Sequence, residues 1–174
     1  ALQGRDRDDI ILSSKKSTRH QEVTAESLME SLDASLRRLQ TDTIDIYNLH
    51  GVVPQDYRRL VDIIYPTLES ARQAGKIRFI GITEMFGEDR QHSMLVEALA
   101  DDLWDVVMVG FNLLNQTARD SVLAAAIEQN VGVQVMFAVR KALGSAESLQ
   151  PFLAALIEKG EIDAGEVDLV EVAG

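Results

Sequence analysis

The sequence predicts an α/β fold in which helices cover a parallel sheet, and three observations carry the prediction. The period of the apolar residues switches repeatedly between two and about 3.6 along the chain. The strand-like runs, such as WDVVMVGF (104–111) and VGVQVMF (131–137), are nearly continuous in apolar character, as in strands buried on both faces. Strand and helix patterns alternate strictly, which is how βα units are laid down.

Taken in order, residues 9–14 (DIILSS) read as the first buried strand. Thr24 is placed to cap a helix: Leu28, Leu32, Leu36 and Leu39 recur at spacings of four, four and three, so they share one helical face up to about Gln40. A strand follows at 43–49, then a helical region over about 56–74, in which Pro66 fits best at the first turn of a second helical piece. Gly75 is the expected glycine cap. KIRFIGI (76–82) is the third strand and about 89–100 the next helix. Residues 104–111 form the fourth strand, 117–129 a helix with Asn130 as its left-handed cap, 131–137 the fifth strand, and 147–159 a helix stopped by Gly160. The whole chain, 1–174, reads as one domain.

Composition narrows the function. With 28 acidic against 17 basic residues the formal net charge is -11, and no Lys/Arg stripe reverses it locally, so nucleic acid is not an expected partner. The absence of cysteine excludes a disulfide scaffold and a thiolate metal site and fits a reducing, cytoplasmic setting. No apolar run approaches the roughly 18 residues that span a bilayer, and no signal-peptide pattern opens the chain.

A doubly wound sheet and a (β/α)8 barrel both suit the alternation. The first strand-to-helix turn, SSKKSTRHQ (13–21), has no glycine to cradle a phosphate, so the TIM-barrel type is preferred. In such a barrel the chemistry sits at the C-terminal ends of the strands. Those ends carry Lys15, His50, Thr83 with Glu84, Asn112, and Arg140 with Lys141; His50 in particular closes the alternating stretch IDIYNLH. A closed barrel takes about 250 residues, so only about five of its eight βα units fit this length. Two sheet edges would then stand open, to be covered by further chain or by an oligomeric partner.

The runs ESLDASLRRLQTDTIDIYNLHG (30–51), GKIRFIGIT (75–83), DVVMVGFNLLNQ (105–116) and NVGVQVMFAVRKAL (130–143) resemble, in order, the aldo-keto reductases of the bacterial oxidoreductase-like branch. The resemblance implies hydride transfer between a nicotinamide cofactor, NADP(H) rather than NAD(H), and a small-molecule carbonyl or alcohol. In that family a tyrosine is the general acid, a lysine lowers its pKa, an aspartate pairs with the lysine, and a histidine orients the carbonyl. A cation beside a phenol favours the phenolate and so brings a weak acid of pKa about 10 closer to the working pH.

Carried over residue by residue, Lys15 matches the lysine, with Lys16 as the register alternative, and His50 matches the histidine. Thr83 and Glu84 fall where Ser-Asn usually binds the nicotinamide carboxamide; Thr83 keeps the hydroxyl, whereas an ionised Glu84 cannot donate. Met108 stands where a glutamine commonly helps, and Phe137 where an aromatic ring stacks on the nicotinamide. Arg140 with Lys141 is placed to face cofactor phosphates. The family's aspartate and tyrosine belong to its first two βα units, and the present match starts at what would be the third strand. Glu84 and Met108 motivate an alternative, a degenerate relative that senses cofactor or acts as a subunit. His20 and His92 read as surface histidines, and Asp42 and Asp45 as capping or ion-pair residues. No metal site is expected.

Overall fold

In the computed structural model, which describes residues 4, 6–19, 22–112, 115–139, 144–163 and 165, the five strands are β1 (Ser13–Ser17), β2 (Ile44–Val52), β3 (Ile77–Glu84), β4 (Val106–Gly110) and β5 (Gly132–Met136). They form one sheet in the order β1-β2-β3-β4-β5, and every neighbouring pair is parallel. Sequential parallel order requires a crossover between each pair, and the helices supply it. Two compact units result: one holds residues 1–111 and 116–136 and therefore the whole sheet, and the other holds 112–115 and 137–174.

Helix α1 (Ala25–Leu39) begins at Thr24, whose hydroxyl accepts from the Ser27 N–H while the Ser27 hydroxyl accepts from the Thr24 N–H, a reciprocal cap. Its leucine stripe is the buried one, Leu28, Leu32 and Leu36, and Gln40 ends it at φ +54. Helix α2 (Pro54–Gln73) differs from expectation. Pro66 does not start a second piece but lies inside one helix, because the buried stripe Tyr57, Leu60, Ile64, Leu68 and Ala71 continues unbroken past it. Pro66 and Asp62 are both exposed, so water can satisfy the carbonyl that the missing N–H leaves over. Gly75 ends the helix at φ +74, as anticipated.

Two further boundaries move. Strand β1 lies later than the apolar run DIILSS, because at Leu12 the backbone N–H donates to the Asp45 side chain rather than to a strand neighbour. Helix α3 (Ser93–Ala100) starts four residues late; Asp89 caps it through the N–H groups of Ser93 (3.0 Å) and Met94 (2.8 Å). The expected helix at 117–129 opens as a wide π turn over Arg119–Leu123 before α4 (Ala124–Glu128), and Asn130 closes it at φ +57. In the second unit, α5 (Ala146–Glu158) is capped by Ser145, and Gly160 follows it at φ +70.

Strand alternation gives the sheet two faces. Tyr47, Leu49, Ile80, Ile82, Val107 and Val109 are buried in the cluster that also holds the apolar stripes of α1, α2 and α3. The alternate residues form the opposite face in hydrogen-bonded rows. Lys15, Asn48, Gly81, Val106 and Gly132 make one row; Ser17, His50, Thr83, Met108 and Gln134 make the row nearer the strands' C-terminal ends. Phe79, one row below on this face, is 43% exposed.

Candidate active site

The second row holds His50 and Thr83. His50 stands near the end of β2, where the pairing with β3 shifts between His50 and Val52 and Gly51 adopts φ +79. Its Nδ1 lies 2.7 Å from the Thr83 hydroxyl, which also accepts the Gly51 N–H at 2.9 Å. Burial, then the positive charges of Lys15 and Arg19, push the His50 pKa below its ordinary 6.5, so the ring is neutral at pH 7. Lys15 lies on the same face, one row lower on the adjacent strand, beside Asn48. Lys16 points the other way and is nearly buried, which separates the two register alternatives by face. Lys15 stands in mid-strand rather than in the turn after it.

Thr83 is fully buried and committed to His50 and Gly51. Glu84 is 1% exposed and has both oxygens occupied, one by the Gly110 N–H at 2.7 Å and the other by His92 Nδ1 at 2.8 Å. Burial pushes its pKa up, while the Gly110 and His92 contacts pull against that. An outward grip of Glu84 on a carboxamide would require breaking one of these bonds. His92 is a correction to the sequence reading: it is not a surface histidine but has no exposed area, sits at φ +60 before α3, stacks on Phe86, and meets Thr117 Oγ1 through Nε2 at 2.7 Å. His20 lies outside the described residues. Asp45 is the ion-pair residue expected, bonded to Arg7 (2.7 Å), Arg78 (3.0 Å) and the Leu12 N–H (2.8 Å).

Met108 is half-buried in the His50 row. Phe137 belongs to the second unit, at φ +62 and 46% exposed, and its carbonyl accepts from Asn112 Nδ2 at 3.1 Å. Arg140 and Lys141 lie outside the described residues. Sequence reasoning missed Gln134, whose Oε1 is buried with no hydrogen-bond partner among the described residues; a lone polar residue in the apolar run VGVQVMF was the available signal. Asn48 Oδ1 on the neighbouring row is likewise unpaired. The chain's three tyrosines are all engaged elsewhere: Tyr47 with Ser31, Tyr57 with Asp101 and Trp104, Tyr65 with the Leu103 carbonyl. Among the described residues no His, Cys, Asp and Glu cluster suits a metal, and no helix is long and apolar enough to cross a membrane.

Five parallel strands with their helices, bearing ionisable groups near the strands' C-terminal ends, define part of an α/β barrel of the TIM type. The sequence profile described as "Aldo/keto reductase family" matches residues 1–152, and the chain belongs to that family of oxidoreductases. It is 39% identical over 80 residues to L-galactose dehydrogenase of Arabidopsis thaliana, covering 44% of this chain and 25% of that one. To D-threo-aldose 1-dehydrogenase of a Pseudomonas species it is 30% identical over 117 residues, covering 66% of this chain and 34% of the relative. Among solved structures, the holo form of an aldo-keto reductase from Bacillus halodurans superposes with a TM-score of 0.64 at 30% identity, over 77% of this chain and 42% of that one. An aldo-keto reductase from Klebsiella pneumoniae in complex with NADPH shares the fold at a TM-score of 0.58 and 24% identity, over 75% and 43% of the two chains. This chain therefore spans a quarter to a third of those curated relatives and under half of those solved chains.

Proposed function

We propose that the protein is an NAD(P)H-dependent oxidoreductase that interconverts a small-molecule carbonyl and its alcohol by hydride transfer. The observation that carries the reading is the placement of Lys15 and His50 on one sheet face, with the His50 ring held neutral by burial and by Lys15. A neutral imidazole can hydrogen-bond a carbonyl oxygen without competing as a charge, and a nearby ammonium stabilises oxyanion character on a substrate or on a phenol. The unpaired Gln134 oxygen in the same row supports a nicotinamide there, because a carboxamide N–H would satisfy it. When bound, the reduced nicotinamide supplies the hydride.

In this reading Lys15 and His50 are the catalytic residues of this chain. Met108 and Gln134 line the nicotinamide. Arg140, outside the described residues, is the candidate of the family resemblance for a cofactor phosphate, and in this reading NADP(H) is preferred over NAD(H). The three tyrosines are engaged away from His50, so none of them is the general acid in this reading. The reading extends to a cytoplasmic enzyme whose sheet edges at β1 and β5 are covered by further barrel strands or by a second copy.

The test uses the full-length protein. NADPH binding and oxidation are followed against a panel of simple aldehydes and ketones, with Lys15→Met and His50→Ala expected to lower turnover at least about 100-fold. Normal rates in both variants would overturn the assignment. Cofactor binding without turnover on any carbonyl would favour the sensing subunit instead.

A further inference from the structure

We propose that Thr83 is a positioning residue that sets the tautomer of His50: its hydroxyl donates to Nδ1 and so leaves the ring's single proton on Nε2. The inference rests on the reading of His50 as the group that hydrogen-bonds the substrate carbonyl.

The argument is a count of protons and lone pairs. A threonine hydroxyl has one proton to give and two lone pairs to receive with. The Thr83 oxygen takes one N–H, that of Gly51, at 2.9 Å, and its second neighbour is His50 Nδ1 at 2.7 Å. Thr83 is fully buried, and among the described residues no third nitrogen or oxygen bonds to it. If Nδ1 carried the proton and donated, both Thr83 lone pairs would be filled and its own proton would point into a dry interior with no acceptor, a costly arrangement. If Thr83 donates, every group is satisfied. The 2.7 Å separation suits an O–H donor aimed at a ring nitrogen.

The consequence is chemical. A neutral imidazole with the proton on Nε2 presents a donor to a carbonyl oxygen; the other tautomer presents a lone pair and repels it. Among the described residues Nε2 has no hydrogen-bond partner, so that donor is available. Thr83 reaches His50 because the two are register partners on neighbouring strands, and Gly51, next to His50, brings its N–H to the same oxygen. The threonine hydroxyl is thus spent on the histidine, not on the nicotinamide carboxamide that the family resemblance assigns to this position.

The experiment is nitrogen-15 NMR of the histidine rings in the full-length protein, above pH 6.5, with the His50 signals assigned through a His50→Ala variant. The expected wild-type result is a pyridine-like shift at His50 Nδ1 and a pyrrole-like shift at Nε2. The reverse pattern, or two averaged shifts, overturns the proposal, and this reading is independent of whether the protein turns over any carbonyl. Thr83→Val removes the donor with little change of shape; the two shifts are expected to move towards each other and kcat to fall about 10- to 100-fold, with NADPH affinity unchanged. Thr83→Ser restores both the shifts and the rate. A Thr83→Val protein that keeps the wild-type shifts and instead loses NADPH affinity would make Thr83 a cofactor ligand and sink the inference. If the wild type shows the expected tautomer but reduces nothing, the proposed function fails while this assignment stands.

Discussion

Alanine at Gly81 tests how tightly the row that carries Lys15 is built. A Cβ at this position would lie 2.1 Å from Asn48 Oδ1, 2.9 Å from Asn48 Cγ and 3.3 Å from the Val106 carbonyl oxygen. The first two separations are too short to survive, so Asn48 must move. It is 2% exposed, and its Nδ2 donates to Ser13 Oγ at 3.1 Å and to the Ser14 carbonyl at 3.4 Å. Losing those two bonds costs roughly 1 kcal/mol each. Overpacking adds about 1–3 kcal/mol, while replacing glycine in a strand returns about 0.5–1 kcal/mol of backbone entropy. The net expectation for Gly81→Ala is a loss of about 2–4 kcal/mol. In urea that is a drop in midpoint of about 1–2 M at a slope near 2 kcal/mol/M. Because Asn48 Oδ1 has no partner to lose, truncating Asn48 should relieve the clash: in an Asn48→Ala background the same glycine substitution is expected to cost at least about 1 kcal/mol less. A Gly81→Ala protein within about 0.5 kcal/mol of wild type, or an equal cost in both backgrounds, would refute the close packing of this row.

Three other outcomes follow from the same contacts. Lys15→Met is expected to raise the His50 pKa in an NMR titration without bringing it to 6.5, because burial, the larger cause, remains; the depressed pKa means that His50 supports folding fully above 6.5 and withdraws that support as the pH falls towards its folded value. At Asp45 burial pushes the carboxyl up, but the Leu12 N–H with Arg7 and Arg78 hold it below 3.8 on balance. Its contribution is present above 3.8 and lost as the pH falls through the folded value, so Asp45→Asn should cost about 1–3 kcal/mol at pH 7 in urea unfolding, with the gap to wild type closing in acid. Glu84→Ala leaves the Gly110 N–H and His92 without their partner in a dry site, an expected loss of about 2–4 kcal/mol in thermal unfolding. Glu84→Gln keeps an acceptor for Gly110 and should recover about half of that.

The order of elements was legible because apolar period and cap chemistry are local: the leucines of α1, Thr24, Gly75, Asn130 and Gly160 all do in the structure what their positions suggest. The misplacements have non-local causes. DIILSS has the composition of a strand, but Asp45, 33 residues from Leu12, takes the backbone donor there, and the polar run SSKKS makes the strand instead. Pro66 reads as a break until the buried stripe on both sides of it is seen to be continuous. Lys15 and His50 could be picked out, and their shared face follows from register once the strands pair. The burial of His92 could not be picked out, because its partners Glu84 and Thr117 lie on other elements and no spacing rule joins the three.

The end of β3 shows how one dipeptide serves two tasks. Consecutive strand residues reach opposite sides, so Thr83 and Glu84 cannot both grip one ligand while the strand stays regular. Thr83 turns to His50 on the face that also carries Lys15. Glu84 turns away from it, to His92 ahead of α3 and to the N–H at the end of β4. With both oxygens filled, the Glu84 side chain ties the end of β3 to His92 and to the Gly110 N–H. The departure from the family's Ser-Asn therefore does not by itself argue for a degenerate site: at this position the acid stiffens the strand end from which Thr83 reaches His50.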